Sequence, residues 1–398
     1  MAAGNPGTDS LTLDTAIRQT LDNNPQLYRF RYTREQLEGE KELSSLRPQY
    51  IVGVEAENFA GSGTYDSFDS LELTIALSSV LELGGKRDAR VGVAGGRLET
   101  FEMQRKADTL DLLGNLASSF ILVLTTQEEI KLAAEAAKLS QDLVDTVSVR
   151  AERGAAPDSE VMRAKAMLIQ ARILQVNLQH KLDRQKVSLV RFWGTTEPQF
   201  GLANGDIFDF GNSTSFEALY AQVQQTPAVE VFATQARLRD AELKLAQTQN
   251  RADFTWAVGA RRLESTNDTA LVAAFSVPLF AKKRNEGAMA AATANRNAVS
   301  REREAALLEL HNRLYTAYSQ RQQFIETHAL LEQEIIPELE EALKQTRSAY
   351  DRGRLRYQDW IAAQQELLNA KRQLIETASA VLLNQAVIEQ LTAVSLQK

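Results

Sequence analysis

Glycine and proline are almost absent from two long stretches of this chain. Between Gly96 and Gly154 the only residue of either type is Gly114, and between Gly287 and Gly353 it is Pro337. Because these residues are the usual interruptions of helices, each stretch predicts a helix over most of its length. At 1.5 Å per residue such helices would reach roughly 85 to 100 Å. They are too long for a compact globule, so the sequence predicts an elongated, mainly helical fold.

Apolar residues mark one face of the second stretch at the three- and four-residue spacing of coiled-coil packing. They are Leu307, Leu310, Leu314, Ala317, Phe324, Leu331, Ile335, Leu339 and Ala342. Pro337 is tolerated in the first turn of a helix, so it predicts a junction between two stacked helices.

The chain repeats its plan once. "LDNNPQL" at 21–27 corresponds to "VQQTPAV" at 223–229, the basic pair at 86–87 to that at 283–284, and Gly154 to Gly353. Each repeat predicts helix, β-hairpin, very long helix, tight turn and helix. The predicted organisation is a flexible N-terminus (1–10), a first structural repeat (11–196), a linker (197–214), a second structural repeat (215–392) and a C-terminal tail (393–398).

Four short segments alternate strictly between apolar and small or polar residues. Leu71, Leu73, Ile75 and Leu77 interleave with Glu72, Thr74, Ala76 and Ser78, and similar sets lie at 50–57, 254–259 and 273–279. Such alternation fits soluble hairpins with one face on a core, and it equally fits transmembrane barrel strands. Four strands cannot close a barrel, and an open edge cannot stand in lipid. A membrane form must therefore share its barrel, and three chains would supply roughly twelve strands.

Composition excludes several classes of function. There is no cysteine, the net charge is -7, and the three histidines lack a partner set at metal-ligand spacing. A nucleic-acid binder, a zinc site and a thiol site are therefore disfavoured. "LELGGKRDAR" is not a nucleotide loop, because Val80 and Arg87 replace the required glycine and hydroxyl residue. No transmembrane helix, signal peptide, catalytic motif or cofactor site is predicted, so we expect a non-enzymatic protein, either cytoplasmic or a mature exported chain.

The order helix, hairpin, long helix, turn, helix, present twice from Leu11 to about Leu391, resembles the outer-membrane efflux proteins of the TolC type. "LELGGKR" in the first repeat, and "VPLF" followed by "RNEG" in the second, resemble the CzcC branch, which serves heavy-metal exporters. The resemblance implies a mainly α fold with a small β part, in which long coiled-coil hairpins and four barrel strands per chain form a homotrimer. Its shared transmembrane β-barrel would lie in the outer membrane, in contact with lipid, and a periplasmic α-barrel would continue it as a tunnel.

The same resemblance implies passive export of heavy-metal cations together with a periplasmic adaptor (membrane fusion) protein and an inner-membrane resistance-nodulation-division pump. It places the gate and the adaptor contact at the helix-hairpin turns, where arginines and tyrosines would bond carboxylates. The candidate residues are Arg153, Gly154, Asp158, Glu160, Asp351, Arg352, Gly353, Arg354, Arg356, Tyr357 and Asp359.

Two further sets of residues are candidates. The barrel-to-helix turns contain Gly84, Gly85, Lys86, Arg87, Lys283 and Arg284, whose cations would lie near the inner membrane interface or cover a solvated helix start. Glu55, Glu57, Glu72 and Arg261 fall opposite the apolar sets and would face the barrel lumen, unless the first two are solvated in a loop. Two other functions remain open: a soluble periplasmic or cytoplasmic coiled-coil scaffold, and a channel for organic compounds.

Overall fold

The computed structural model describes residues 10–394. Of the predicted flexible N-terminus and C-terminal tail, all but Ser10, Ala393 and Val394 lies outside the described residues. The first half contains α1 (Leu13–Asn23), α2 (Pro25–Ser45), β1 (Ile51–Glu57), β2 (Glu72–Leu81), α3 (Lys86–Glu152) and α4 (Asp158–Val190). The second half contains α5 (Phe216–Val223), α6 (Pro227–Thr248), β3 (Phe254–Leu263), β4 (Asp268–Ser276), α7 (Ala281–Arg284), α8 (Glu286–Leu330), α9 (Ile336–Asp351) and α10 (Tyr357–Thr392). Two helices precede the β-hairpin in each half, where the sequence predicted one, and the order of hairpin, long helix, turn and helix that follows is the one predicted.

The described chain forms two compact units, and each takes segments from both repeats. The helical unit holds residues 10–29, Ala107–Thr226 and 307–394, and the sheet unit holds Phe30–Lys106 and Pro227–Ala306. The helices α2, α3 and α8 contribute to both units. Neither unit is therefore a single repeat.

The sheet unit contains one antiparallel sheet with the strand order β1-β2-β3-β4. The central pair, β2 and β3, joins one repeat to the other, from Glu72 opposite Leu263 to Leu81 opposite Phe254. This order leaves β1 and β4 as edge strands. Within the described chain, neither edge has a second neighbouring strand.

The core of the helical unit gathers side chains from the long helices and from the predicted linker. Leu116, Phe120 and Val123 of α3 are almost fully buried in it, together with Ala203 and Ile207. Residues Leu11 and Ala203 form a parallel β-bridge. The segment predicted as a linker is thus part of the core and not only a connection.

Proline sets the start of the second helix in both repeats. Pro25 is the first residue of α2 and Pro227 the first of α6, positions where the missing N–H has no helical partner to lose. Asn24 completes the first of these junctions, because its Nδ2 donates to the Phe192 carbonyl at 2.6 Å and its Oδ1 accepts from the Gln26 N–H at 2.7 Å.

A π turn, Leu331–Ile335, joins α8 to α9 at the junction predicted from Pro337. The Ile336 N–H donates to the Leu331 carbonyl, five residues back. Because the turn holds an extra residue, the apolar seam shifts there: Ile336 is buried, whereas Ile335, which the sequence placed in the seam, is exposed. The predicted seam is therefore correct up to Leu331 and displaced by one residue at the turn.

The helix α3 is, by length and composition alone, long and apolar enough to cross a membrane. Its most apolar stretch includes Leu116, Phe120 and Val123, which belong to the core of the helical unit. Their packing accounts for the hydropathy of this stretch without a membrane-spanning helix.

Candidate functional site

The two predicted hairpin turns have the same backbone conformation. Gly154 and Gly353 lie at φ +67° and +73°, the left-handed region in which glycine ends helices without steric cost. After each glycine the next N–H donates to a carbonyl five residues earlier, Ala155 to Arg150 at 2.8 Å and Arg354 to Ala349 at 2.9 Å. This bonding pattern ends α3 and α9 alike and lets α4 and α10 begin within a few residues.

Arg150 and Tyr350 join the two helix hairpins, which are formed by α3 with α4 and by α9 with α10. The Arg150 Nη1 donates to the carbonyl of Tyr350 at 2.5 Å and to that of Asp351 at 3.3 Å, and its guanidinium lies 4.4 Å from the centre of the Tyr350 ring. The hydroxyl of Tyr350 donates to Glu160 Oε2 at 3.2 Å. The end of α9 is therefore bonded to both the end of α3 and the start of α4.

A buried apolar cluster lies beneath these bonds. It is formed by Leu143, Val144, Val147, Ala164, Leu168, Tyr350, Tyr357 and Trp360. Burial, reinforced by the Glu160 charge, raises the pKa of Tyr350 to about 12, and the same two causes raise the pKa of Tyr357. Both phenols consequently stay protonated near neutral pH. The Tyr357 hydroxyl is buried and has no hydrogen-bond partner among the described residues.

The predicted tip residues differ in their bonding. Glu160 accepts from Tyr350, whereas the candidate Tyr357 has no hydrogen-bond partner for its hydroxyl among the described residues. Asp359 accepts from the backbone N–H of Arg356 at 2.9 Å and lies 3.7 Å from its guanidinium, which makes it a local cap of α10. Arg352 donates to Ser348 Oγ at 2.8 Å. Four other charged candidates have exposed side chains: Arg153, Asp158, Asp351 and Arg354.

A groove of about 370 Å³ adjoins the tip between α3, α9 and α10. Charges of both signs line it, including Asp142, Arg347 and Lys371, and the Trp360 ring forms part of its wall. The Arg347 guanidinium lies 5.7 Å from the centre of the indole ring and 4.0 Å from the Asp142 carboxylate. The groove can therefore contact both charged and apolar groups of another protein.

A buried ion pair stabilises the first barrel-to-helix turn. Gly84 and Gly85 both have positive φ, at +81° and +75°, as a glycine turn predicts. Lys86, however, is only 7% exposed and lies 2.7 Å from the Asp253 carboxylate, which also accepts from the Leu83 N–H at 3.0 Å. Lys86 is thus not an interface cation, because its charge is satisfied inside the protein, whereas Arg87 is exposed.

At the second barrel-to-helix turn the basic residues are solvent-exposed. They are Lys283 and Arg284, with Lys282 beside them. The neighbouring Asn285 is buried and donates from Nδ2 to the Ala246 carbonyl at 2.6 Å and to Asn250 Oδ1 at 3.0 Å, which fixes the turn against α6 and the residues after it.

The sheet has one apolar face and one small or polar face. Strand register places on the apolar face Val52, Val54, Leu73, Ile75, Leu77, Trp256, Val258, Leu271, Ala273 and Phe275. The four predicted lumen residues, Glu55, Glu57, Glu72 and Arg261, all fall on the opposite face. Leu271 is 91% exposed and Phe275 is 79% exposed, so the apolar face is uncovered in the single chain.

Three of the predicted lumen residues contact one another. The Arg261 guanidinium donates to Glu72 Oε2 at 2.7 Å, lies 3.1 Å from Glu57 and donates from Nε to Thr74 Oγ1 at 2.9 Å. Glu55 is exposed on the same face. On this face Gly259 leaves no room for a side chain, because an added Cβ would lie 2.8 Å from the Ala76 Cα.

Sequence reasoning missed Arg150, Tyr350 and Asp253. The first two are bonded mainly through main-chain carbonyls, which leave no side-chain pattern in a sequence. Asp253 immediately precedes β3, and its pairing with Lys86 spans the two repeats. The sequence signals this pair only by an acidic residue before β3 in the second repeat and a basic residue after the glycine turn of the first repeat.

Histidines and carboxylates do not form a metal centre in the part of the chain that the structure describes, where no group of three or more is arranged to hold an ion. His328 is buried between the rings of Phe208 and Phe210, at centroid distances of 5.7 and 4.9 Å. Burial lowers its pKa, an effect that Glu332 partly opposes. This histidine packs the core and lies on α8 next to the π turn.

Similar proteins agree with this architecture. The chain is 24% identical to the cobalt-zinc-cadmium resistance protein CzcC of Cupriavidus metallidurans over 298 residues, which cover 75% of this chain and 71% of that protein. The crystal structure of CusC, described for its transmembrane channel formation, matches with a TM-score of 0.80 at 15% identity, over 96% of this chain and 91% of that one. The outer membrane protein VceC of Vibrio cholerae matches with a TM-score of 0.74 at 18% identity, over 97% of each chain.

The family model described as outer membrane efflux protein matches residues 16–195 and 218–394, two ranges close to the predicted repeats. Together these ranges take in both hairpin turns, all four strands and all the long helices. The chain therefore belongs to the outer membrane efflux protein family and is an outer-membrane channel subunit, not an enzyme.

Proposed function

We propose that three copies of this chain form a channel that exports heavy-metal cations, with a periplasmic adaptor and an inner-membrane resistance-nodulation-division pump as partners. The observation that carries the channel assembly is the four-stranded sheet, which has an uncovered apolar face and two edge strands. An open edge is unstable in lipid, so β4 of one copy must pair with β1 of the next. Three copies close a ring of roughly twelve strands, which suits a water-filled lumen.

The helices supply a second argument for association. Met162, Ile169, Ile173 and Val176 lie on α4 at spacings of seven, four and three residues, and each is more than half exposed. Such a seam is typical of coiled-coil contacts. A second copy of this chain is the occupant we propose for it, as part of the helical wall of the tunnel.

We propose the gate at the bonds that join the two hairpins. Arg150 and Tyr350 hold α9 to α3 and α4, so separating the hairpins must break two bonds from the Arg150 guanidinium to main-chain carbonyls and one phenol–carboxylate bond. The adaptor would dock in the groove beside Trp360, Asp142 and Arg347 and replace these contacts with its own. The exposed tip charges Arg153, Asp158, Asp351 and Arg354 are free to take part.

The cargo assignment rests on the likeness to CzcC, a cobalt-zinc-cadmium resistance protein. The acidic residues Glu55, Glu57 and Glu72 on the predicted lumen face support it, because a ring of carboxylates raises the local concentration of cations. A channel that releases its cargo needs no tight metal site.

The assembly is tested by light scattering of the protein extracted from membranes in detergent. We expect a mass of three chains after subtraction of detergent, followed by conductance in a planar bilayer. Recovery as a soluble monomer or dimer without detergent would replace the channel with a coiled-coil scaffold.

A matched pair of variants tests the membrane face. Leu271→Lys places a charge on the apolar face and should cost about 2–4 kcal/mol in lipid, which reduces the yield of trimer in membranes. Ala270→Lys, the adjacent residue on the opposite face, should leave that yield much nearer to that of the native chain. Equal yields of both variants would contradict the proposed orientation of the sheet.

The cargo is tested in cells that lack their own heavy-metal export channel but retain the adaptor and pump. Expression of this chain should raise tolerance to cobalt, zinc or cadmium, and not tolerance to organic toxicants. The reverse pattern would favour the channel for organic compounds, and leave the trimer unaffected.

A further inference from the structure

The two barrel-to-helix turns correspond in the repeat but differ in chemistry. In the first turn Gly84 and Gly85 make the bend, and Lys86 is buried against Asp253. In the second, the bend is made by Phe280, at φ +61° and ψ +27°. Its side chain is 76% exposed, and that of the preceding Leu279 is 70% exposed.

A phenylalanine with positive φ is a strained choice, since only glycine adopts this region freely. The surrounding bonds hold it there: the Arg284 N–H donates to the Phe280 carbonyl at 3.1 Å, and Asn285 ties the turn to the Ala246 carbonyl. The fold thus maintains an outward aromatic side chain at a position where the first repeat uses glycine.

Three cationic side chains follow Phe280 in the sequence and are not paired with a carboxylate of the described residues. Lys282, Lys283 and Arg284 are exposed, and no ion pair of theirs is present in residues 10–394. They lie beyond the end of β4, whose Phe275 is opposite Trp256 on the apolar face. Tyr50 packs edge-on against Trp256 at 6.3 Å, which places an aromatic pair at this end of the sheet. Aromatic residues of this kind mark the boundary between the hydrocarbon and headgroup regions of a bilayer.

We propose that the segment Leu279–Arg284 binds an anionic phospholipid of the inner leaflet of the outer membrane. This inference rests on the proposed membrane orientation of the sheet. Leu279 and Phe280 insert among the acyl chains, and the ammonium and guanidinium groups of Lys282, Lys283 and Arg284 contact the phosphate. The first turn differs, because burial of Lys86 leaves Arg87 as its exposed cation and glycines replace the apolar side chain at the bend.

The purified trimer in detergent is titrated with phosphatidylglycerol, with phosphatidylcholine and with inorganic phosphate, while its melting temperature and bound lipid are measured. Phosphatidylglycerol should stabilise the native protein more than the other two. The triple variant Lys282→Gln, Lys283→Gln, Arg284→Gln should bind it about a hundredfold more weakly. A control that neutralises the same number of exposed cations on α3 and α4 should bind it normally: Lys138→Gln, Lys165→Gln and Arg184→Gln.

Phe280→Gly provides a second test, because glycine keeps the backbone conformation while removing the ring. It should weaken phosphatidylglycerol binding without lowering the melting temperature in detergent alone. Equal stabilisation by inorganic phosphate, or unchanged lipid binding by the triple variant, would overturn the lipid site. A trimer that conducts but shows no lipid preference refutes only this inference, whereas a protein that is not trimeric refutes the channel itself.

Discussion

Replacing Tyr350 by phenylalanine removes one hydrogen bond, from the phenol to Glu160 Oε2 at 3.2 Å, and leaves the buried ring in place. A bond to a charged acceptor contributes about 1.5–3 kcal/mol when fully buried, and the half-buried Glu160 reduces this to about 1 kcal/mol. If the three copies open together, the closed state loses about 3 kcal/mol, so the open-to-closed ratio should rise about 150-fold. Single-channel recording in a planar bilayer measures that ratio directly.

Tyr357→Phe is the matched control. Its hydroxyl is equally buried but has no partner among the described residues, so its removal should leave gating unchanged and slightly stabilise the fold. Glu160→Gln should resemble Tyr350→Phe in direction with a smaller effect, because a neutral acceptor still bonds the phenol. If Tyr357→Phe opens the channel as much as Tyr350→Phe does, or if neither changes it, the gate does not lie at this bond.

Three other predictions follow from buried or paired charges. Lys86→Met should leave Asp253 unpaired and lower the free energy of unfolding by about 3 kcal/mol, measured by thermal melting in detergent. The pKa of His328 is lowered from 6.5 by burial, so its stabilising contribution is present above pH 6.5 and is lost as the pH falls below it. His328→Gln should accordingly flatten the dependence of melting temperature on pH. Arg261→Gln removes the only cation bonded to Glu57 and Glu72 in the described chain and should raise the cation-to-anion permeability ratio in reversal-potential measurements. An unchanged ratio would contradict the lumen assignment.

The parts of the fold that could be predicted from sequence are those encoded by local periodicity. Alternation in the strands, the scarcity of glycine and proline in the long helices, and the glycines at 154 and 353 each depend on a residue's own neighbourhood. The family resemblance and the mainly helical fold followed from this order of elements and are confirmed by the comparisons.

Contacts between distant residues could not be predicted in the same way. Arg150 reaches carbonyls 200 and 201 residues away, and any residue type presents the same acceptor there. The sequence offers Tyr357 as a tyrosine donor at the tip, whereas tertiary packing places the hydroxyl of Tyr350 against Glu160. The glycine turn before Lys86 predicts a cation near the membrane interface or over a solvated helix start, and nothing near this residue in sequence indicates its buried partner Asp253.

The π turn between α8 and α9 keeps the direction of the tip independent of one extra residue. A regular α-helix rotates by about 100° for each residue, but the wider π turn rotates less per residue and takes up the extra one without turning the helix beyond it. Deleting a single residue from Leu331–Ile335 would allow α8 and α9 to merge into one regular helix. Tyr350 would still face Glu160, because the wide turn already takes up that residue and the buried seam continues beyond it from Ile336. Deleting one residue elsewhere in α8 or α9, where no wide turn absorbs the change, should instead rotate the tip by about 100°.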